Sequence, residues 1–164
     1  MKIEKGFIIL NGRKRRNQFV HYGASEYRQD KFKPVKNSPF LAKPRTGGLW
    51  VSPIDSKFGW KHWCYREELQ EWLKTSCFKL SLKLTARICI IDNYDDLICL
   101  PFQPKNEHKI QANFDFEEVA QSYDAIWLTY EGMKKTAFTH PIHTYGWDCE
   151  TLLVLNKYCF EIVL

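Results

Sequence analysis

The apolar positions of this chain fall in short, β-branched-rich runs separated by polar turn formers, a pattern that predicts strands more often than helices. Lys2 to Leu10 and Asn17 to Gly23 read as two strands forming a hairpin around the basic Asn11-Gly12 turn. Ala24 to Gly47 carries Pro34, Pro39 and Pro44, many lysines and no helical period, so it reads as an irregular loop of functional length. Gly48 to Pro53 is a short strand closed by proline. Asp55 or Ser56 can cap a helix running to about Lys74. On it Tyr65, Leu69, Trp72 and Leu73 keep helical spacing, with Trp60 and Trp63 a turn earlier, so these tryptophans are expected in the core.

Thr85 to Ile91 and Leu97 to Phe102 read as apolar strands joined by the polar connection Asp92 to Asp96. Asp115, with Glu118 three residues on, opens a short helix that stops near Tyr123, and Asp124 to Tyr130 resumes strand. Glu131 to Tyr145 is a polar excursion with two histidines, and Glu150 to Asn156 and Tyr158 to Leu164 make the last strands. The sum is an α+β fold, a β-dominated single domain over residues 1–164 with about eight or nine strands, one substantial helix and one short helix.

Composition narrows the class. With 164 residues, 45% hydrophobic and 15% aromatic, the chain has the material for one packed core and is not disordered. No apolar run reaches the length of a membrane span and Met1 to Leu10 lacks a leader's features, so a cytoplasmic protein without membrane contact is expected. The six cysteines include no CxxC pair and read as reduced thiols, Cys89 and Cys99 as small buried hydrophobes. A net charge of +5 permits an anionic ligand. The run Arg13 to Arg16 reads first as a solvated turn and second as a nucleic-acid contact.

His62-x-Cys64 and His140-x-x-His143 place ligand types close together, but zinc needs three or four converging groups and these spacings are weak evidence of that, so no metal is expected. Glycine-rich phosphate loops and the G-x-S-x-G elbow are missing, which argues against a parallel dinucleotide fold, a P-loop and an ordinary serine hydrolase. Three segments remain. His21-Tyr22-Gly23-Ala24-Ser25 ends an early strand with a glycine that lets a ligand approach the backbone. Gly47-Gly48-Leu49-Trp50-Val51-Ser52 puts a stacking ring and a hydroxyl on one strand face. Trp147-Asp148-Cys149-Glu150 puts two carboxylates on one face ahead of an apolar strand. Glu150 either hangs into water at a strand edge or is retained to stabilise charge in a cleft.

HYGAS, GGLWVSP and DCETLLVLN, in that order and spacing, resemble the three core motifs of the ADP-ribosyltransferase fold, over roughly residues 17 to 156. The resemblance implies a split two-sheet core, NAD as co-substrate, and a macromolecular acceptor, protein ahead of nucleic acid. By position it makes Glu150 the catalytic glutamate and Asp148 the acidic residue that positions or deprotonates the acceptor. Ser52 corresponds to the serine of the second motif, supporting Glu150, and Trp50 to an aromatic near the nicotinamide. His21, Tyr22 and Gly23 correspond to the first motif, where the familiar order is Tyr-His-Gly, so either His21 or Tyr22 faces the cofactor. The motif set mixes features of two branches of the family.

The chemistry suits these residue types, because breaking the nicotinamide–ribose bond develops positive charge on the ribose that a carboxylate stabilises. Lys43 and Arg45 read as ordinary solvated charges or as partners of the pyrophosphate. An NAD glycohydrolase, an RNA 2′-phosphotransferase of the same fold and a non-catalytic nucleotide- or protein-binding module are the alternatives.

Overall fold

Two turn-forming residues, Asn11 and Gly12, both take positive φ (48° and 74°), the backbone that a tight two-residue hairpin requires. The hairpin they close is tighter than the sequence pattern suggests. It joins β2 (Phe7–Leu10) to β3 (Arg13–Arg16), and β1 (Lys2–Glu4) adds on the far side of β2 to complete a three-stranded antiparallel sheet. The basic run is therefore a strand rather than a turn. The structure, a computed structural model, describes residues 1–4, 6–73, 76–103 and 112–164.

The second sheet has seven strands in the order β10-β6-β4-β5-β9-β8-β7. Its members are β4 (Phe19–Tyr22), β5 (Leu49–Pro53), β6 (Cys77–Leu82), β7 (Ile88–Ile91), β8 (Ala125–Leu128), β9 (Thr151–Val154) and β10 (Phe160–Val163). Neighbours are antiparallel except β7 and β8, which run parallel. β8 and β9 are buried at every position, as a central strand covered on both faces must be. Their side chains alternate between two cores. Trp127, Leu152 and Val154 pack with Ile8 and Leu10 of the small sheet, while Ile126, Leu128 and Leu153 pack with Leu97, Phe116 and Val119 of the helices. The large sheet thus lies between the small sheet and a helical layer, a strand-rich mixed fold of two sheets and four helices among the described residues. No helix of the described residues is long and apolar enough to cross a membrane.

Side-chain caps explain where the helices depart from the sequence expectation. Asp115 does cap α3 (Phe116–Ser122) through the Glu118 N–H, and the helix ends at Tyr123 as expected. Leu97 to Phe102 is not a strand. Asn93 and Asp96 form a reciprocal capping box, starting α2 (Tyr94–Ile98) inside the acidic connection and leaving Cys99 exposed. Within the polar excursion, Thr129 caps α4 (Tyr130–Thr136), reinforced by the Glu131–Lys134 pair one turn apart.

The helix expected from Asp55 or Ser56 breaks into α1 (Trp60–Arg66) and a short 3₁₀ turn, Gln70–Leu73, because Glu68 takes φ +59° between them. Its expected end at Lys74 lies outside the described residues. That break undoes the helical spacing on which the apolar side was read: Cys64 and Leu73 are buried, whereas Tyr65 and Trp72 are more than half exposed.

Candidate functional site

A cavity of about 430 Å³ opens where β4 and β5 meet α1 and the segment leading into β9. This volume lies in the range of small-molecule sites. All three motif segments reach it: His21 and Tyr22 from the first, Trp50 and Ser52 from the second, Asp148 from the third. Lys43 joins them from the long proline-rich loop. The close approach that holds this loop requires glycine. A Cβ on Gly47 (φ +83°) would sit 2.0 Å from the Pro34 carbonyl oxygen, and one on Gly48 (φ +69°) 2.6 Å from Leu153 Cδ1. Lys36 and Thr46 bridge there, so residues 37 to 45 form a closed excursion carrying Lys43.

Four tryptophans, a tyrosine and a histidine contribute rings to the walls. Trp50 meets Trp147 edge to face at 4.9 Å, and Trp147, buried, donates from Nε1 to the Ala42 carbonyl at 2.6 Å. His21 packs on Phe78 and bonds through Nδ1 to the Trp50 carbonyl at 2.8 Å. A carbonyl only accepts, so Nδ1 carries a proton, and in the neutral ring Nε2 is the acceptor. Trp60 and Trp72, which sequence spacing assigned to the core, also line the cavity. Burial pushes the Tyr22 hydroxyl above the usual phenol range.

Ser52 does a different job from the one its motif suggests. It is almost wholly buried, and its Oγ accepts the Trp60 N–H at 2.8 Å. Gly59, the N-cap of α1, supplies no side chain, so a serine from β5 caps the helix across space and fixes Trp60 in the cavity wall.

The two acidic residues, expected on one strand face, are separated because β9 starts only at Thr151 and the segment carrying them is not a strand. Asp148 lines the cavity and pairs with Lys43 at 2.6 Å, both side chains partly exposed. Glu150 is not among the described residues lining the cavity. It is 2% exposed, and its carboxylate accepts from Arg15 Nη1 and Nη2, from Ser56 Oγ and from Trp127 Nε1. The Arg15 guanidinium also lies 5.2 Å from the Trp127 ring centroid and bonds Asp55. Burial pulls the Arg15 pKa down, but hydrogen bonding and charge from Glu150, with Asp55 behind, carry it above its ordinary value. The strand-edge alternative for Glu150 is thus corrected: its carboxylate is buried and satisfied on the small-sheet side. Arg15 is the residue that sequence reasoning missed: all four residues of Arg13 to Arg16 are basic, so nothing in the run marks Arg15 as the one that turns inward.

Gly23 and Arg45 are exposed and outside the cavity lining among the described residues. Gly23 (φ +104°) hands its N–H to the Ser76 carbonyl, and the Arg45 N–H bonds the Lys36 carbonyl. Cys149 does line the cavity, but burial first, then Asp148, push its thiol up to about 12, so it is not a ready thiolate. No family model, curated protein or solved structure matches the chain.

Proposed function

We propose that this protein is an NAD-dependent ADP-ribosyltransferase that releases nicotinamide and passes ADP-ribose to a macromolecular acceptor in the cytoplasm, its six thiols reduced. The observation that carries the reading is that one cavity collects residues of all three motif segments. Aromatic walls with a few convergent polar groups suit a nucleotide, whose rings stack and whose hydroxyls and phosphates need specific partners.

The bound co-substrate would supply the glycosidic bond to nicotinamide, the bond that is broken. His21 Nε2 accepts from a ribose hydroxyl, while Trp50 and Trp147 exclude water from that end of the cleft. Lys43 answers the pyrophosphate charge and in doing so releases Asp148. Asp148 is then the carboxylate that offsets positive charge on the ribose and takes the acceptor's proton. Glu150, which the resemblance makes catalytic, already answers a guanidinium and two further donors. It positions the Asp148–Thr151 segment by tying it to β3 and to Ser56.

The test is nicotinamide release from NAD, with calorimetric binding alongside. Asp148→Asn lowers turnover a hundredfold or more at unchanged melting temperature, in the range that loss of one charge-stabilising group produces. Full activity in Asp148→Asn, or no NAD binding by wild type, removes the assignment. A second reading is favoured by the Lys43–Asp148 pair, which neutralises the cleft carboxylate: a nucleotide-binding module without turnover. NAD binding with no nicotinamide release in the presence of cell lysate selects it.

A further inference from the structure

Trp60, Trp63 and Trp72 form a cluster that packing alone does not explain. Trp60 and Trp63 stack at 4.9 Å with 18° between planes, and Trp60 and Trp72 at 6.2 Å with 24°. They come from two separate short elements, α1 and the Gln70–Leu73 turn. Trp72 is 51% exposed although it belongs to the cavity lining, as Trp60 does. A large apolar ring left half in water beside a cavity is where a ligand ring gains most from covering it. The Trp50–Trp147 part of the lining differs in kind. Trp50 and Trp147 meet edge to face at 76°, and Trp147 is fully buried, so that pair frames the pocket without continuing a parallel stack.

A smaller recess adjoins the cavity and shares Val20, Tyr22, Ser52 and Trp60 with it. Its own lining includes Ser56, Lys61 and His62, and both Lys61 and His62 are exposed. The Ser56 hydroxyl already donates to Glu150, but an exposed ammonium and an imidazole beside a π ledge match a phosphoryl group attached to a planar base.

We infer that Trp60 and Trp72 form a purine-stacking subsite, taking the adenine end of the ligand with its phosphate directed to Lys61 and His62, while Trp50 and His21 take the other ring. This rests on the dinucleotide reading of the cavity. It assigns a binding role to two tryptophans that the sequence placed in the core, and it orients the ligand along the cleft.

Calorimetry with AMP, nicotinamide mononucleotide and NAD tests it on wild type, Trp72→Ala and Trp72→Phe. Trp72 is half exposed, so its truncation is compatible with folding, which a thermal melt checks. Trp72→Ala weakens AMP and NAD roughly tenfold, the scale of losing one base–aromatic stack, and leaves nicotinamide mononucleotide within about twofold. Trp72→Phe keeps a ring and recovers most of the affinity. Lys61→Ala weakens AMP several-fold and leaves adenosine unchanged. NAD binding that Trp72→Ala does not alter overturns the ledge alone, as does equal weakening of AMP and nicotinamide mononucleotide. Equal loss of AMP and adenosine in Lys61→Ala overturns the phosphate direction. Failure of wild type to bind NAD, AMP or nicotinamide mononucleotide overturns the dinucleotide reading and the ledge with it.

Discussion

Removing Arg15 strands Glu150 as a buried charge, and removing the Glu150 charge leaves the partly buried Arg15 with only Asp55, 3.4 Å away. Glu150 has a side chain 3% exposed and Arg15 one 21% exposed, so neither can be rehydrated without opening the contact between β3 and the large sheet. Breaking such a pair costs about 3–5 kcal/mol, and the partial exposure of Arg15 puts this one near the lower end. Arg15→Met and Glu150→Gln are each expected to lose about 3 kcal/mol, a fall of roughly 6–12 °C in melting temperature for a domain of this size. The double variant should lose far less than both singles together, about 2 kcal/mol. Its amide oxygen can still accept from Trp127 while its NH2 donates to the Ser56 hydroxyl, and the one charge left unpaired, Asp55, is partly exposed. Urea unfolding of the four proteins at neutral pH measures the coupling. Additive losses, or single losses below about 1 kcal/mol, refute the view of Glu150 as a framework residue. A Glu150→Gln variant that unfolds like wild type but no longer releases nicotinamide would return Glu150 to catalysis.

Three further outcomes follow from the packing. Asn17, buried, donates from Nδ2 to the Leu82 carbonyl at 2.7 Å and accepts the Leu82 N–H at 3.0 Å, standing in for a strand residue. Asn17→Ala leaves both groups unpaired and should cost about 2–4 kcal/mol in denaturant unfolding. Burial raises the Asp124 pKa, but hydrogen bonds from Arg87 and Asn156 outweigh it and hold the carboxyl below its ordinary value. That stability is complete above the unfolded pKa of about 4 and is lost as pH falls through the folded value, so Asp124→Asn should flatten the acid limb of the stability curve below about pH 4. Gly47→Ala forces a methyl into the Pro34 carbonyl from a left-handed backbone. It should lower stability by about 2 kcal/mol or more and weaken nucleotide binding through Lys43, measured by melting and calorimetry together.

Strand content and the short α3 were readable because apolar runs and the Asp115 cap are local signals. The seven-stranded order was not, since β4 pairs with β6 and β5 with β9 across long stretches of chain. Leu97 to Phe102 misled because an apolar run of that length fits strand and buried helix alike, and the Asn93–Asp96 box decides between them. At the site, the strand faces correctly put Trp50 and Ser52 together. They could not reveal that Ser52 is engaged by the Trp60 N–H, or that Glu150 answers a guanidinium 135 residues away. Trp72 was misplaced by a single backbone angle at Glu68, which no periodicity records.

The position of β9 has a consequence for how the molecule is made. β5 and β8, each synthesised earlier, are hydrogen-bonded to opposite edges of β9 rather than to each other. Until residues 151–154 leave the ribosome the large sheet has a gap between β5 and β8, with two unpaired edges and the apolar sides of Trp127 and Val51 uncovered. The chain therefore closes late and by non-local contacts, a topology associated with slow folding and a need for protection while nascent.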